Sequence, residues 1–101
     1  MSEVEIYIYC LGVLGYCDVR KELCESSSIT NRLYRYTIGG KIEGKDVSVR
    51  FITMGNLISG RFEFFIDKDV SGNYFSHSLS TQEFSKMYLF IIRDCKLGLL
   101  V

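Results

Sequence analysis

The chain has 101 residues, of which 48% are hydrophobic, and its 12 basic and 12 acidic side chains give a formal net charge of zero. This length predicts a single domain over residues 1–101, and the apolar content excludes global intrinsic disorder. Zero net charge gives no long-range attraction toward nucleic acid or acidic lipid. No apolar run approaches the roughly 20 residues of a membrane-spanning helix, and the acidic N-terminus lacks the basic region of a signal peptide. We therefore expect a cytoplasmic protein without a membrane partner.

The N-terminal part of the chain predicts one strand followed by one short helix. Residues 3–10 alternate between smaller apolar side chains and glutamate or tyrosine, a period of two that is typical of a half-buried strand. Gly12 and Gly15 then indicate a turn or bulge. Residues 16–25 carry apolar side chains at helical spacing, which predicts a short helix that needs tertiary packing to persist.

The middle of the chain predicts several strands in succession. The predicted strands cover residues 32–42, 46–54, 61–67 and 74–79. The first two flank the turn signal Glu43-Gly44-Lys45-Asp46 and are expected to pair as a hairpin. Glycine and polar residues predict loops at 55–60 and 67–73. In the third strand, Phe62, Phe64 and Ile66 alternate with charged residues and are expected to point inward, although Phe65 falls on the polar side.

The C-terminal part of the chain predicts a helix with a defined start. Ser80-Thr81-Gln82-Glu83 is a capping box, in which the Ser80 and Glu83 side chains bond reciprocally to backbone amides. The expected apolar face of this helix comprises Phe84, Met87, Tyr88, Ile91 and Cys95. Further apolar residues make the apolar stripe wider than a surface helix requires. The apolar segment 96–101 predicts a final strand.

These elements together predict an α+β fold. The strands are expected to form an antiparallel sheet of four to five strands, with two helices on one face. The order of the elements resembles a decorated ferredoxin-like arrangement. That resemblance concerns arrangement alone and implies no function.

The cysteines form no recognisable metal-binding motif. Cys10, Cys17, Cys24 and Cys95 lack the closely spaced pair of a structural zinc site. We therefore expect reduced, mostly buried thiols that behave as small apolar side chains, with no metal and no cofactor.

The acidic segment Asp67-x-Asp69-x-Ser71-Gly72 resembles the opening of an EF-hand loop. Calcium binding requires a bidentate carboxylate at the twelfth position of such a loop, and Ser78 stands there. An acidic hairpin loop is therefore the favoured interpretation.

His77 is the only histidine and hence the only candidate for a conventional catalytic base. A small hydrolase or nuclease would require His77 to lie beside a cysteine or an aspartate, and the spacing of the sequence does not show this. A surface histidine without a catalytic role is the favoured interpretation, so we expect no catalytic residues.

Basic and aromatic residues of the middle strands form a candidate nucleic-acid-binding set. Tyrosine rings can stack on bases and arginines can bind phosphates. The candidate residues are Tyr34, Arg35, Tyr36, Arg50 and Arg61. The alternative interpretation is a solvated sheet face with cross-strand ion pairs.

The surplus of apolar side chains in so short a chain predicts a protein interface. Seven phenylalanines and seven tyrosines exceed what one small core readily hides. The candidate interface residues are Leu89, Phe90, Ile92, Leu99 and Leu100. We expect a small non-catalytic macromolecule-binding protein, a homodimer in the simplest case, of the accessory or inhibitor type that phages and viruses encode. A nucleic-acid or nucleotide binder is the alternative, and a small hydrolase is the least favoured.

Overall fold

The computed structural model describes residues 2–25, 32–67 and 73–98. In chain order they form α1 (Glu3–Leu14), β1 (Tyr16–Leu23), β2 (Leu33–Ile42), β3 (Lys45–Met54), β4 (Leu57–Asp67), β5 (Asn73–Ser80), α2 (Thr81–Met87) and α3 (Leu89–Gly98). A five-stranded antiparallel sheet and three helices confirm the α+β prediction, with one helix more than expected. No helix in the described ranges is long and apolar enough to cross a lipid bilayer.

The five strands lie side by side in the order in which they occur along the chain. Every neighbouring pair is antiparallel, and among the described residues no helix lies between two strands. A ferredoxin-like fold requires helical crossovers between strands. The ferredoxin-like arrangement is therefore not confirmed, and the sheet is instead a meander with helices before and after it.

The prediction of a strand over residues 3–10 is wrong, because this segment is helical. The Glu5 amide donates to Ser2 Oγ and the Ser2 amide donates to the Glu5 carboxylate, both at 3.3 Å, so a capping box begins α1. The buried residues Val4, Tyr7, Cys10 and Leu11 follow helical spacing. Packing of this face outweighs the strand preference of the alternating isoleucines and tyrosines.

The prediction of a helix over residues 16–25 is also wrong, because β1 forms the edge of the sheet. Only Tyr16 is buried in this strand, and the other seven residues are exposed. This strand pairs with β2, from Tyr16 opposite Gly40 to Leu23 opposite Tyr34. The pairing provides hydrogen-bond partners for backbone N–H and C=O groups that would otherwise bond to one another within a helix. A Cβ atom on Gly40 would lie 1.9 Å from the Gly15 carbonyl oxygen, so glycine permits the close approach of these two backbones.

The predicted hairpin is confirmed, and the strand that follows begins earlier than predicted. Glu43 and Gly44 connect β2 to β3, and both have positive φ. The predicted loop at 55–60 is limited to the turn Gly55–Asn56, because β4 begins at Leu57. The predicted strand over 74–79 is confirmed as β5, whereas residues 68–72 of the predicted polar loop lie outside the described residues.

The predicted start of the C-terminal helix is confirmed. The Glu83 amide donates to Ser80 Oγ and the Ser80 amide donates to Glu83 Oε1, both at 3.1 Å. The helix is interrupted at Tyr88, whose φ of −111° and ψ of 31° leave the helical region. The predicted final strand is wrong for residues 96–98, which belong to α3, and its remaining residues lie outside the described part.

The core lies between the helices and one face of the sheet, which we call the inner face. Phe62 stands at its centre, with ring-centroid distances of 4.6 Å to Phe84, 5.1 Å to Phe51 and 5.2 Å to Tyr7. Such edge-to-face and tilted pairs stabilise the core beyond simple area burial. The predicted inward residues Phe62 and Phe64 are buried, whereas Ile66 is exposed near the end of β4. The opposite, outer face of the sheet has no helix packed against it in the described chain.

Candidate binding surfaces

The structure divides the predicted nucleic-acid-binding set between the two faces of the sheet. Tyr36 packs against the core on the inner face, and Tyr34 lies two residues away on the same face. Arg35 lies between them and points to the outer face, together with Arg50 and Arg61. The five residues therefore do not form one surface, because alternation along β2 separates its tyrosines from its arginine. A nucleic-acid-binding role for these residues stays a prediction.

The two tyrosines already interact with neighbouring side chains. The Tyr36 ring stacks on Phe51 at a centroid distance of 5.2 Å and an interplanar angle of 8°. Lys21 Nζ lies 4.3 Å from the centroid of the Tyr34 ring and 5.7 Å from that of Tyr36. These stacking and cation–π contacts occupy ring faces that a base would need.

The outer face of the sheet carries an aromatic and cationic cluster that the sequence analysis did not include. Arg50 Cζ lies 5.0 Å from the centroid of the Phe65 ring, and Phe65 meets Phe75 edge-on at 5.9 Å. Phe75 is 59% exposed. Arg50 stands opposite Glu63 in the register of β3 and β4, so its charge is partly balanced. The signal in the sequence was Phe65, an aromatic residue at a polar-face position of its strand.

Arg61 connects the sheet to α2, and its charge is paired with a carboxylate. Its Nε atom donates to Ser78 Oγ at 3.0 Å, and its Nη2 atom donates to Glu83 Oε1 at 3.0 Å. The pKa of Glu83 is lowered, first by the hydrogen bond from the Ser80 amide, then by the Ser80 hydroxyl and by the positive charge of Arg61. A phosphate at this guanidinium would have to compete with the charge of the Glu83 carboxylate.

The predicted interface residues do not all lie at the surface. Ile92 is buried in the core, so its assignment to an interface is corrected. Leu89 and Phe90 are exposed as expected, and Phe90 is 77% accessible. Leu99 and Leu100 lie outside the described residues. Their role and that of the other exposed residues stay predictions.

The exposed side of α3 carries a stripe of two apolar and two charged residues, which we call the α3 stripe. It comprises Phe90, Arg93, Asp94 and Leu97. Their spacing of three, four and seven residues places all four on one side of the helix. The opposite side buries Ile92 and Cys95 against the core. Leu97 is 59% exposed and was missed, because the sequence alone placed it in a final strand.

A groove of about 380 Å³ lies beside the α3 stripe, between α1 and the C-terminal helices. Ile6 and Glu3 line one wall, and Leu89 and Lys96 line the other. The Tyr7 hydroxyl and Ser85 Oγ, which are 2.9 Å apart, lie at this junction. The groove therefore carries apolar side chains together with one acidic and one basic residue.

His77 lies on β5 at the surface, where it contacts an aromatic ring and a hydroxyl group among the described residues. Its ring stacks on Phe64 at 4.7 Å with an interplanar angle of 5°, and Nδ1 is 3.0 Å from Ser76 Oγ. Catalytic triads instead orient the histidine with a carboxylate, which also stabilises the imidazolium. Ser76 is itself exposed.

The four cysteines differ in accessibility. Cys10 and Cys95 are buried as expected, Cys24 is half-buried, and Cys17 is exposed. Burial raises the pKa of the Cys10 thiol to about 11, with a smaller contribution from Cys95. A nucleophilic cysteine needs a lowered pKa and access to substrate, so Cys10 does not have the character of a nucleophile. Within residues 2–25, 32–67 and 73–98, no three His, Cys, Asp or Glu side chains form a group that could hold a metal ion.

Comparison of the chain with protein-family models, with curated proteins and with solved structures finds no match. Function must therefore be inferred from the surfaces themselves. The two with the most distinctive chemistry are the α3 stripe on the helical side and the Arg50–Phe65–Phe75 cluster on the outer face of the sheet.

Proposed function

We propose that the protein acts by binding another protein molecule through the α3 stripe, without catalysis. The observation that carries this proposal is Phe90, which is 77% exposed on a helix whose other side is packed into the core. Burying a phenylalanine side chain is worth about 1.5–3 kcal/mol. Leu97 adds a second exposed apolar side chain one heptad further along the same side.

The neighbouring exposed residues support the same proposal. Met87 and Leu89 are both exposed. Met87 precedes the α3 stripe in the sequence, and Leu89 lines the groove between α1 and the C-terminal helices. Exposed apolar side chains that lie close together and are flanked by polar residues are typical of protein interfaces. An accessory or inhibitor role is the simplest use of such a surface, because it requires only that the protein occupy part of its partner.

A second candidate function is the binding of single-stranded nucleic acid on the outer face of the sheet. It is supported by the Arg50–Phe65 contact beside the exposed ring of Phe75. A sheet that presents aromatic rings and arginines without a covering helix can stack bases and bind the backbone. Glu63 and the paired state of Arg61 weaken the positive potential of this face, so we place this function second.

Two exposed phenylalanines on opposite sides of the molecule allow both functions to be tested with matched variants. Phe90→Ser alters the helical side and Phe75→Ser alters the outer face of the sheet, and neither position contributes to the core. Immobilised wild type and both variants would be exposed to untagged wild type and to lysate of the source organism, with bound proteins quantified by mass spectrometry.

The expected result is a bound protein, whether a second copy or another chain, that wild type and Phe75→Ser retain and Phe90→Ser loses. The protein-binding proposal is wrong if Phe90→Ser retains the same proteins as wild type. For the second function, fluorescence anisotropy with a labelled single-stranded oligonucleotide at low salt would show binding by wild type and Phe90→Ser, and loss in Phe75→Ser. Equal anisotropy for all three proteins would exclude the outer face as the binding site.

A further inference from the structure

We infer that the molecule that docks on the α3 stripe is a second copy of this chain, with its α3 helix antiparallel to the first. This inference rests on the proposed function and names its partner. The two-fold axis would pass between Arg93 and Asp94, which are the central residues of the ten-residue helix Leu89–Gly98. Closed two-fold dimers are the commonest assemblies of identical chains.

The sequence of the stripe is complementary to itself about that axis. A two-fold axis between positions 93 and 94 brings residue 90 of one copy opposite residue 97 of the other. Phe90 thus meets the partner's Leu97, and this apolar contact occurs twice in the dimer. Both side chains are exposed in the single chain, at 77% and 59%, so both lose contact with water on docking.

The charges of the stripe select the antiparallel orientation. In the antiparallel pair, Arg93 lies opposite the partner's Asp94, and the symmetry repeats this ion pair. In a parallel two-fold pair, each residue would face its own copy, which would place Arg93 opposite an arginine and Asp94 opposite an aspartate. Opposite charges across an interface contribute mainly to orientation and specificity, whereas like charges oppose docking.

The area available indicates that α1 also contributes to the dimer. A ten-residue helix is about 15 Å long, and one such helix covers less than the roughly 800 Å² that each partner buries in a standard interface. Tyr9 and Val13 are exposed on the side of α1 away from its buried face, and α1 packs beside α3. An interface that includes these two side chains would bury more apolar area than the α3 stripe alone, and it would leave the outer face of each sheet accessible.

Charge reversal tests both the partner and the orientation. Sedimentation equilibrium over a range of concentrations would measure the dimer dissociation constant of wild type, Arg93→Asp, Asp94→Arg and an equimolar mixture of the two variants. In a dimer formed by either variant alone, both cross-subunit pairs contain like charges. The dissociation constant of each variant should therefore rise at least tenfold. In the mixed dimer each pair again has opposite charges, so the mixture should return to within about threefold of wild type.

The possible outcomes separate this inference from the proposed function. Both substituted residues are exposed, and circular dichroism would confirm that the variants fold. A wild type that stays monomeric at every concentration overturns the dimer. A dimer whose dissociation constant is unchanged by charge reversal overturns the α3 stripe as its interface. Failure of the mixture to recover overturns the antiparallel orientation. If wild type is monomeric but Phe90→Ser loses a different captured protein, the proposed function stands and only this inference fails.

Discussion

The hydroxyl oxygens of Tyr7 and Ser85 lie 2.9 Å apart, although 78 positions separate the two residues along the chain. This hydrogen bond joins α1, which precedes the sheet, to α2, which follows it. The Tyr7 ring also packs edge-on against Phe62 and Phe84. Burial raises the pKa of the Tyr7 hydroxyl above its ordinary value of 10.0, so the protonated form persists further into the alkaline range. The contact therefore holds together the helical layer that positions the α3 stripe.

We predict that Tyr7→Phe lowers the free energy of unfolding by about 1 kcal/mol. The substitution removes the hydrogen bond to Ser85 and keeps the ring contacts with Phe62 and Phe84. Urea unfolding followed by circular dichroism would measure the change. Tyr9→Phe is the matched control, because Tyr9 is on the same helix but exposed. Equal effects of the two substitutions would show that the Tyr7–Ser85 bond does not stabilise the fold.

We predict opposite effects of the same substitution at two glycines. Gly40→Ala would place a Cβ atom 1.9 Å from the Gly15 carbonyl oxygen, so β1 and β2 would have to separate and the free energy of unfolding should fall by more than about 2 kcal/mol. Gly12→Ala would meet nothing within 4 Å and lies inside α1, so it should stabilise by about 0.5–1 kcal/mol. Thermal unfolding would measure both, and stabilisation by Gly40→Ala would contradict the close approach of the two backbones.

Local signals in the sequence predicted the elements that depend on local interactions. The Glu43–Gly44 turn depends on positive φ at its own two residues. The Ser80–Glu83 capping box depends on hydrogen bonds between its own side chains and backbone amides. The same capping box is present at Ser2–Glu5, but the alternation of isoleucine and tyrosine after it favours a strand equally well. Only the packing of Val4 and Tyr7 against the sheet decides for a helix, and that packing involves residues far along the chain.

Long-range pairing explains why the remaining predictions failed. Residues 16–23 form a strand because β2 pairs with them, and nothing within the segment itself specifies that partner. Phe90 was assigned correctly to the surface, whereas Ile92, two residues away, belongs to the core. Both are apolar, and a wide apolar helix does not show which side the rest of the fold covers. The Phe65–Phe75 contact likewise depends on the register of β4 and β5.

We predict that Cys17 reacts with iodoacetamide much faster than Cys10 in the native protein. Cys17 is exposed, whereas Cys10 has no accessible surface and burial raises its thiol pKa to about 11. Alkylation requires the thiolate and access to it, so Cys10 should react only when the fold opens. Time-resolved labelling near neutral pH with mass spectrometry would separate the two sites. Equal rates in the native protein, with both sites reacting alike in urea, would contradict the burial of Cys10.

The raised pKa of Cys10 also predicts the direction of a change at alkaline pH. The unfolded thiol ionises near its ordinary value of 9.0, whereas the folded thiol stays neutral until about 11. The neutral, buried Cys10 thiol therefore makes its full contribution to the free energy of unfolding below pH 9. That contribution is lost as the pH rises toward 11. Cys10→Ala would remove this part of the alkaline dependence, and Cys17→Ala is the control that should retain it. Identical pH profiles for the two variants would contradict the prediction.

We predict that the stabilisation contributed by Glu83 is lost in acid. Hydrogen bonds from Ser80 and the charge of Arg61 hold the pKa of the Glu83 carboxyl below its ordinary value of 4.5, so the folded state binds its proton less readily than the unfolded chain. The stabilisation is therefore complete above the unfolded pKa and is lost as the pH falls through the lower folded value. Glu83→Gln can still accept the Ser80 amide but loses the charge, so its difference from wild type in urea unfolding should be largest near neutral pH. Arg61→Gln should reduce that difference because it removes the paired cation, and a difference that does not change with pH would show that the charge of Glu83 has no stabilising role.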